Sequence, residues 1–392
     1  MTMPLEGMTV LDATQVMAGP FCTLLLADLG ADVIKVEKPI GDDSRRIGPP
    51  FINGESAAFL GINRNKRSIV LDFKRDHDLD VFRKIAGQVD VVVENFRPGT
   101  MERLGIGPTA LMEANPALLY VSISGFGQTG PYAQRPGYDL IAQGMSGIMS
   151  FSGHPDEPPI KMSIPLADLN AGMYAANGVL AAYIHRLKTG KGQLLETSLL
   201  DAAIGYTVWE SAELWGSGRT PEPKGSAHRM VAPYQAVSAS DGYFNIGVGN
   251  QGIWERFCPA IGRDDLLADP RFASNPTRVE NYVALAEEIE RTTRTKSIAE
   301  WLVLLEGASV PAGPIYDMAQ VFEDPHVIAR GMVQTLQHPV AGEVNHLGIP
   351  IKLSETPGEI RMPAPVLGQH TREVMEQFGF SPDEISKVLS SE

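Results

Sequence analysis

The chain has 392 residues, 43% of them hydrophobic and 20% charged, and a formal net charge of −14. This length and balance predict a globular protein of about two domains, and the acidity argues against a nucleic-acid backbone or an anionic membrane as partner. The two cysteines, Cys22 and Cys258, sit in apolar surroundings with no C-x-x-C or Cys/His ligand spacing, so neither a disulfide framework nor a metal site is expected.

The first residues lack a basic region followed by an apolar run, and no segment reaches the ~18 apolar residues of a membrane span, so a cytoplasmic protein is expected. Residues 8–12 read as a strand, 20–29 as a helix closed by Gly30 and 33–37 as a second strand, a βαβ unit that requires a parallel sheet. Its first turn, 13–19, has no G-x-G-x-x-G, which removes NAD as the default cofactor. Strands over 68–71, 89–93 and 119–123, with a helix over 78–88, continue the alternation into an open, Rossmann-like α/β sheet. Ligands of such sheets bind beyond the carboxyl ends of the strands, where Gln15, Lys38, Lys74, Asn95 and the loop 125–128 fall.

Residues 144–162, rich in glycine and proline, read as a long loop leading to the stretch 164–174 and its carboxylate, Asp168. Asp168 stands at the expected start of an apolar helix. Ala167, Ala171, Ala175 and Gly178 form a small-residue ridge there, and Leu169, Met173, Leu180 and Tyr183 are bulky enough to fill a core. As an N-cap, Asp168 would accept backbone N–H bonds that lower its pKa and keep it ionised, which suits a nucleophile as well as a cap.

A strand over 194–197 and a helix over 202–215 lead to a Gly- and Pro-rich boundary at 216–225. Beyond it, 232–237 and 243–248 read as a hairpin turning at 240–242. Helices at 254–261, 282–292 and 298–305 and a strand at 311–315 follow. The expected organisation is a large α/β domain over 1–224, completed by about 331–392, and a smaller α+β domain over 225–330.

Met17-Ala18-Gly19-Pro20, the runs 28–37 and 63–68, Glu94-Asn95-Phe96-Arg97-Pro98-Gly99 and the run 125–131 together resemble the class III CoA-transferases, the CaiB/BaiF group that also holds the α-methylacyl-CoA racemases. The resemblance spans almost the whole chain. It implies that Asp168 attacks an acyl-CoA thioester to form a mixed anhydride and then an aspartyl-CoA thioester, from which an incoming carboxylic acid takes the CoA. Gln15 falls at a family position near the active site, where donors stabilise the oxyanions of such steps.

By the same resemblance, Lys38, Leu71, Lys74, Asn95, Phe96, Arg97 and Arg103 bind CoA. CoA enters as a substrate, and no metal or permanently bound cofactor is implied. Tyr138, His228, Arg229, Gly247, Gly249 and Asn250 fall near the substrate. The segments around His228 and Arg229 are most similar to members that use dicarboxylic acids, which implies that these two side chains receive a distal carboxylate. The stretch 247–250 has less glycine than in formyl-CoA transferase, so a different acid is expected. The family also implies an interlocked homodimer with acyl-CoA and a small carboxylic acid as its ligands.

The competing reading is an acyl-CoA racemase, in which a histidine and an aspartate exchange the α-proton. The racemase pattern has His-Asp where this chain has Tyr138-Asp139, and tyrosine is a far weaker base at neutral pH. A non-catalytic acyl-CoA-binding protein would keep the CoA contacts but has no use for a poised carboxylate.

Overall fold

The computed structural model describes residues 2–390. The chain divides into two compact units. The first runs to Ile148, resumes over Lys161–Trp215 and takes in the chain from Pro325 onward; the second comprises Met149–Ile160 and Gly216–Asp324.

The first unit is a mixed α/β structure around β1 (Thr9–Ala13), α1 (Ala18–Asp28), β2 (Asp32–Glu37), β3 (Lys66–Val70), α2 (Asp76–Ala86), β4 (Val91–Glu94), β5 (Leu119–Ser124), α3 (Asp139–Met145), α4 (Leu166–Thr189) and β6 (Gln193–Ser198). Its six strands are parallel, in the order β3-β2-β1-β4-β5-β6. Val10, Leu11, Val33, Ile34 and residues 91–93 are fully buried, because helices cover both faces of such a sheet and its central strands read as apolar runs without alternation. The chain winds outward from β1 to β3, then returns beside β1 as β4 and winds the other way. A crevice opens beyond the carboxyl ends of β1 and β4, where the order reverses.

Helix α4 crosses α1 closely. A Cβ on Gly172 would come within 2.5 Å of the Ala18 carbonyl oxygen, so only glycine fits there. Ala167, Ala171 and Ala175 are fully buried at this crossing, whereas Met173, expected in the core, is 41% exposed and its neighbour Tyr174 is 44% exposed. Small residues face inward because the two backbones meet, while Leu169, Leu180 and Tyr183, expected in the core, are only half-buried. The helix expected over 202–215 is two, Leu199–Ile204 and Val208–Ser217, parted near Gly205. The expected loop at 144–162 contains a short helix, Ile148–Phe151, and residues 149–160 belong to the second unit. A hairpin of Val333–His338 and Gly342–Leu347, not anticipated from the sequence, also lies in the first unit. No helix among the described residues is long and apolar enough to cross a membrane.

In the second unit, β7 (Tyr234–Ser238) and β8 (Tyr243–Gly247) form the expected hairpin, and β9 (Ala312–Pro314) pairs antiparallel with β8. Trp254, Phe257, Phe272 and Trp301 fill its core, and the indole N–H of Trp301 donates to the Thr293 carbonyl at 2.6 Å. Cys22 and Cys258 are buried and unpaired.

Candidate active site

The crevice where the strand order reverses is built around Gln15, in the loop after β1, and Asn95, which follows β4. The Gln15 N–H donates to Asn95 Oδ1 at 2.9 Å, and Asn95 Nδ2 donates to the Gln15 carbonyl at 2.8 Å. The side-chain amide expected to bond a nucleotide therefore brackets the loop, taking the place of a glycine-rich cradle. Glu94 secures the other side of the turn. Its carboxylate accepts from Ser122 Oγ and, at 2.7 Å, from the Phe96 N–H, while Gln128 Nε2 donates to Ser122 Oγ at 2.6 Å. Burial pushes the Glu94 carboxyl up to about 7.

Asp168 is the third residue of α4, not its cap; the N-cap position is Pro165, which offers no side-chain bond. The cap comes from Asp139. Its Oδ1 accepts from the backbone N–H groups of Ala167 at 2.8 Å and Asp168 at 3.4 Å, and its Oδ2 accepts from Gln143 Nε2 at 2.7 Å. Gly125 and Gly137 deliver this segment, since a Cβ on Gly125 would lie 2.8 Å from the Gly137 Cα. The expected lowering of the Asp168 pKa is overturned: burial first, and the nearby Asp139 charge second, push it up to about 7. Its carboxylate accepts no hydrogen bond among the described residues and opens into a cleft.

That cleft, of about 250 Å³, is lined by Gln15, Val16, Asn95, Phe96, Arg97, Arg135, Tyr138 and Asp168, among others. A second cleft, of about 300 Å³, shares Gln15 and Phe96 with the first and continues along Val36, Lys38, Asp42, Leu71, Phe73 and Lys74. Its walls are largely apolar, with lysines among the lining residues. Lys38 Nζ is held by Asp43 at 2.7 Å, whereas the Lys74 ammonium has no carboxylate partner among the described residues. Arg103 lines neither cleft; its guanidinium donates to Thr100 Oγ1 at 3.0 Å on the surface. Sequence reasoning missed Arg135, whose guanidinium stacks 3.9 Å from the Tyr132 ring centroid, and it noticed Asp139 only as the neighbour of Tyr138.

His228, Arg229, Gly247, Gly249 and Asn250 belong to the second unit. There the His228 ring meets Tyr234 edge-on at 5.5 Å and the Arg229 guanidinium covers the Phe151 ring at 4.9 Å. Gly247 lines a groove along β7, β8 and β9, and Asn250 caps the helix Gln251–Ala260 by accepting from the Ile253 N–H at 3.0 Å. The Asn250 side chain is thus already committed to a structural bond.

The sequence profile of CoA-transferase family III matches residues 5–371. The chain belongs to that family. This CoA-transferase is 37% identical over 390 residues to succinyl-CoA:glutarate CoA-transferase of Mus musculus, covering 99% of its own length and 89% of the relative's. It is 40% identical over 385 residues to succinyl-CoA:mesaconate CoA-transferase of Haloarcula hispanica, covering 96% of each chain. Its fold is similar to the crystal structure of a CaiB/BaiF family protein from Brucella suis, with a TM-score of 0.86, 40% identity and coverage of 96% of this chain and 100% of that one.

Proposed function

We propose that this CoA-transferase moves CoA from an acyl-CoA donor to a free dicarboxylic acid, with Asp168 as the nucleophile. The observation that carries the reading is the Asp168 carboxylate, unbonded among the described residues, in a cleft that shares Gln15 and Phe96 with a second, lysine-bearing cleft. The second cleft suits the nucleotide of CoA: Phe73 and Phe96 offer ring faces, and Lys74 and Lys38 offer cations to its phosphates. The thioester then lies towards Asp168.

Asp168 attacks the donor's carbonyl carbon, the C–S bond breaks, and CoA leaves as a thiolate from a mixed anhydride. The thiolate attacks the Asp168 carbonyl and expels the donor as a free carboxylate, leaving an aspartyl-CoA thioester. The acceptor carboxylate repeats the first step on that thioester, and the thiolate then takes the acceptor's acyl group and frees Asp168. Each step is a substitution at a carbonyl, so electrons and protons balance with no co-reactant. Gln15 faces the same cleft as a donor for the oxyanions.

The relatives named for succinate, glutarate and mesaconate favour a dicarboxylic acceptor. Arg97 and Arg135 both line the Asp168 cleft, and neither guanidinium has a carboxylate partner among the described residues. Arg135 takes the acceptor's far carboxylate, with Arg97 left to CoA. Tyr138 stands where a racemase would need an imidazole, which favours transfer over proton exchange. An interlocked homodimer in the cytoplasm completes the reading. Trp215, 82% exposed on the helix Val208–Ser217, offers an apolar surface that a second chain would cover.

The test is an acceptor panel with succinyl-CoA, read by mass spectrometry, comparing dicarboxylic acids with monocarboxylic acids of equal length. Dicarboxylates should be preferred, and Arg135→Ala should reduce that preference about tenfold or more. A wild-type enzyme with equal rates for both classes would remove the dicarboxylate assignment.

A further inference from the structure

We propose that Lys35 and Asp42 are positioning residues for CoA transfer: as a buried ion pair they hold Val16 in a left-handed conformation and so aim Gln15 into the cleft beside Asp168. The inference rests on the reading of Asp168 and Gln15 given above.

Lys35 Nζ and Asp42 Oδ2 lie 2.7 Å apart, and the two side chains are 0% and 1% exposed. A buried ion pair is a poor way to gain stability, because desolvation offsets most of the attraction. This one grips the active-site loop on either side of Gln15. Lys35 Nζ donates to the Thr14 carbonyl at 3.0 Å, and Asp42 Oδ1 accepts from the Val16 N–H at 3.1 Å. Between these contacts the Gln15 N–H and carbonyl are bonded to Asn95, and before them the Thr14 N–H donates to Asp12 Oδ1 at 3.0 Å. Every backbone polar group from the Thr14 N–H to the Val16 N–H is therefore held by a side chain.

Such complete restraint has a visible purpose at Val16, whose φ is +67°. A β-branched residue avoids that region and stays there only when its surroundings over-determine it. Asp42 is the contact that does so from the Val16 side. It is itself fixed: its Oδ1 accepts from the Ser44 N–H and Oγ at 2.8 Å each, and its own N–H donates to Glu37 Oε2 at 2.9 Å. If Val16 relaxed to negative φ, the 15–16 peptide would rotate and the Gln15 side chain would leave its place in both clefts. Misplacing a donor by about 1 Å can cost about a hundredfold in rate.

The test combines Asp42→Asn with Val16→Gly. Asparagine has one oxygen where the site needs two, so either Val16 or Lys35 loses its partner. Asp42→Asn should lower kcat about a hundredfold while the KM values for acyl-CoA and acid change by less than about threefold. Adding Val16→Gly should restore at least about tenfold of that loss, because glycine adopts positive φ without strain. A folded Asp42→Asn enzyme with wild-type kcat, or one whose kcat the glycine does not improve, would overturn the positioning role.

If Asp42→Asn does not fold, Val16→Pro removes the same N–H and forces negative φ while leaving the ion pair intact. It should lose kcat about a hundredfold with KM held, and wild-type turnover in that variant overturns the inference. Hydroxylamine trapping separates the two possible failures. Absence of an Asp168 adduct in the wild type removes the nucleophile and this inference with it, whereas an adduct that forms equally fast in Asp42→Asn overturns the positioning role alone.

Discussion

Asp139 caps the helix that carries Asp168. One carboxylate oxygen accepts the N–H groups of Ala167 and Asp168, so the helix terminus is satisfied without the carboxylate of Asp168, which is left open in the cleft. The arrangement places two acidic side chains near each other, and the Asp168 pKa rises to about 7 through burial and then through the Asp139 charge.

A nucleophile that must be ionised then sets the acid limb of the pH profile. We expect kcat/KM to rise with pH up to about 7 and level off above it. Glu94, also raised to about 7 by burial, is a rival source of the same limb, and Asp139→Asn tells them apart. Removing the Asp139 charge should move the midpoint to lower pH if Asp168 is responsible; an unmoved midpoint assigns the limb to Glu94.

The raised pKa also predicts an effect on stability. The folded chain keeps the Asp168 proton to about pH 7, whereas the unfolded chain releases it near pH 4. Between those values the folded state binds more protons, so stability falls as pH rises through that window. Asp168→Asn removes this penalty and should raise Tm at neutral pH by roughly 2–4 °C while abolishing transfer. Thermal melts of both proteins at pH 5 and pH 8 measure it, and the gain should be larger at pH 8.

The two lysines of the second cleft should differ. The Lys74 ammonium has no carboxylate partner among the described residues and is available to a phosphate, whereas Lys38 is engaged with Asp43. Calorimetric titration of CoA should show about a tenfold loss for Lys74→Ala and less than about threefold for Lys38→Ala. Equal losses would mean that CoA displaces Asp43 from Lys38.

The parallel sheet was legible because its strands are buried on both faces and appear as apolar runs spaced by helices. The strand-end rule then gathered Gln15 and Asn95, which meet in one cleft with Asp168 although 153 positions separate Gln15 from Asp168 in the chain. Other features left no periodic trace. The cap on α4 comes from Asp139, 28 residues before the Ala167 N–H it accepts, so no local pattern could announce it. The buried face of α4 was misread because the helix is apolar on more than one side, and only the Gly172 contact with Ala18 shows which side meets a backbone. Lys35 lies within the strand expected over 33–37, and its burial depends on Asp42, a partner that the strand pattern does not contain. Arg135 is positioned by a loop and by stacking on Tyr132, neither of which has a sequence period.

The central claim is that Asp168 becomes covalently acylated and then carries CoA. It is tested most directly by mixing the enzyme with succinyl-CoA, quenching with hydroxylamine and mapping the peptides by mass spectrometry. An anhydride or thioester at that carboxylate is electrophilic, so the account predicts a hydroxamate at Asp168 that is absent without succinyl-CoA and absent in Asp168→Asn. A wild-type enzyme that transfers CoA with Asp168 unmodified, or with the hydroxamate on another residue, would contradict it.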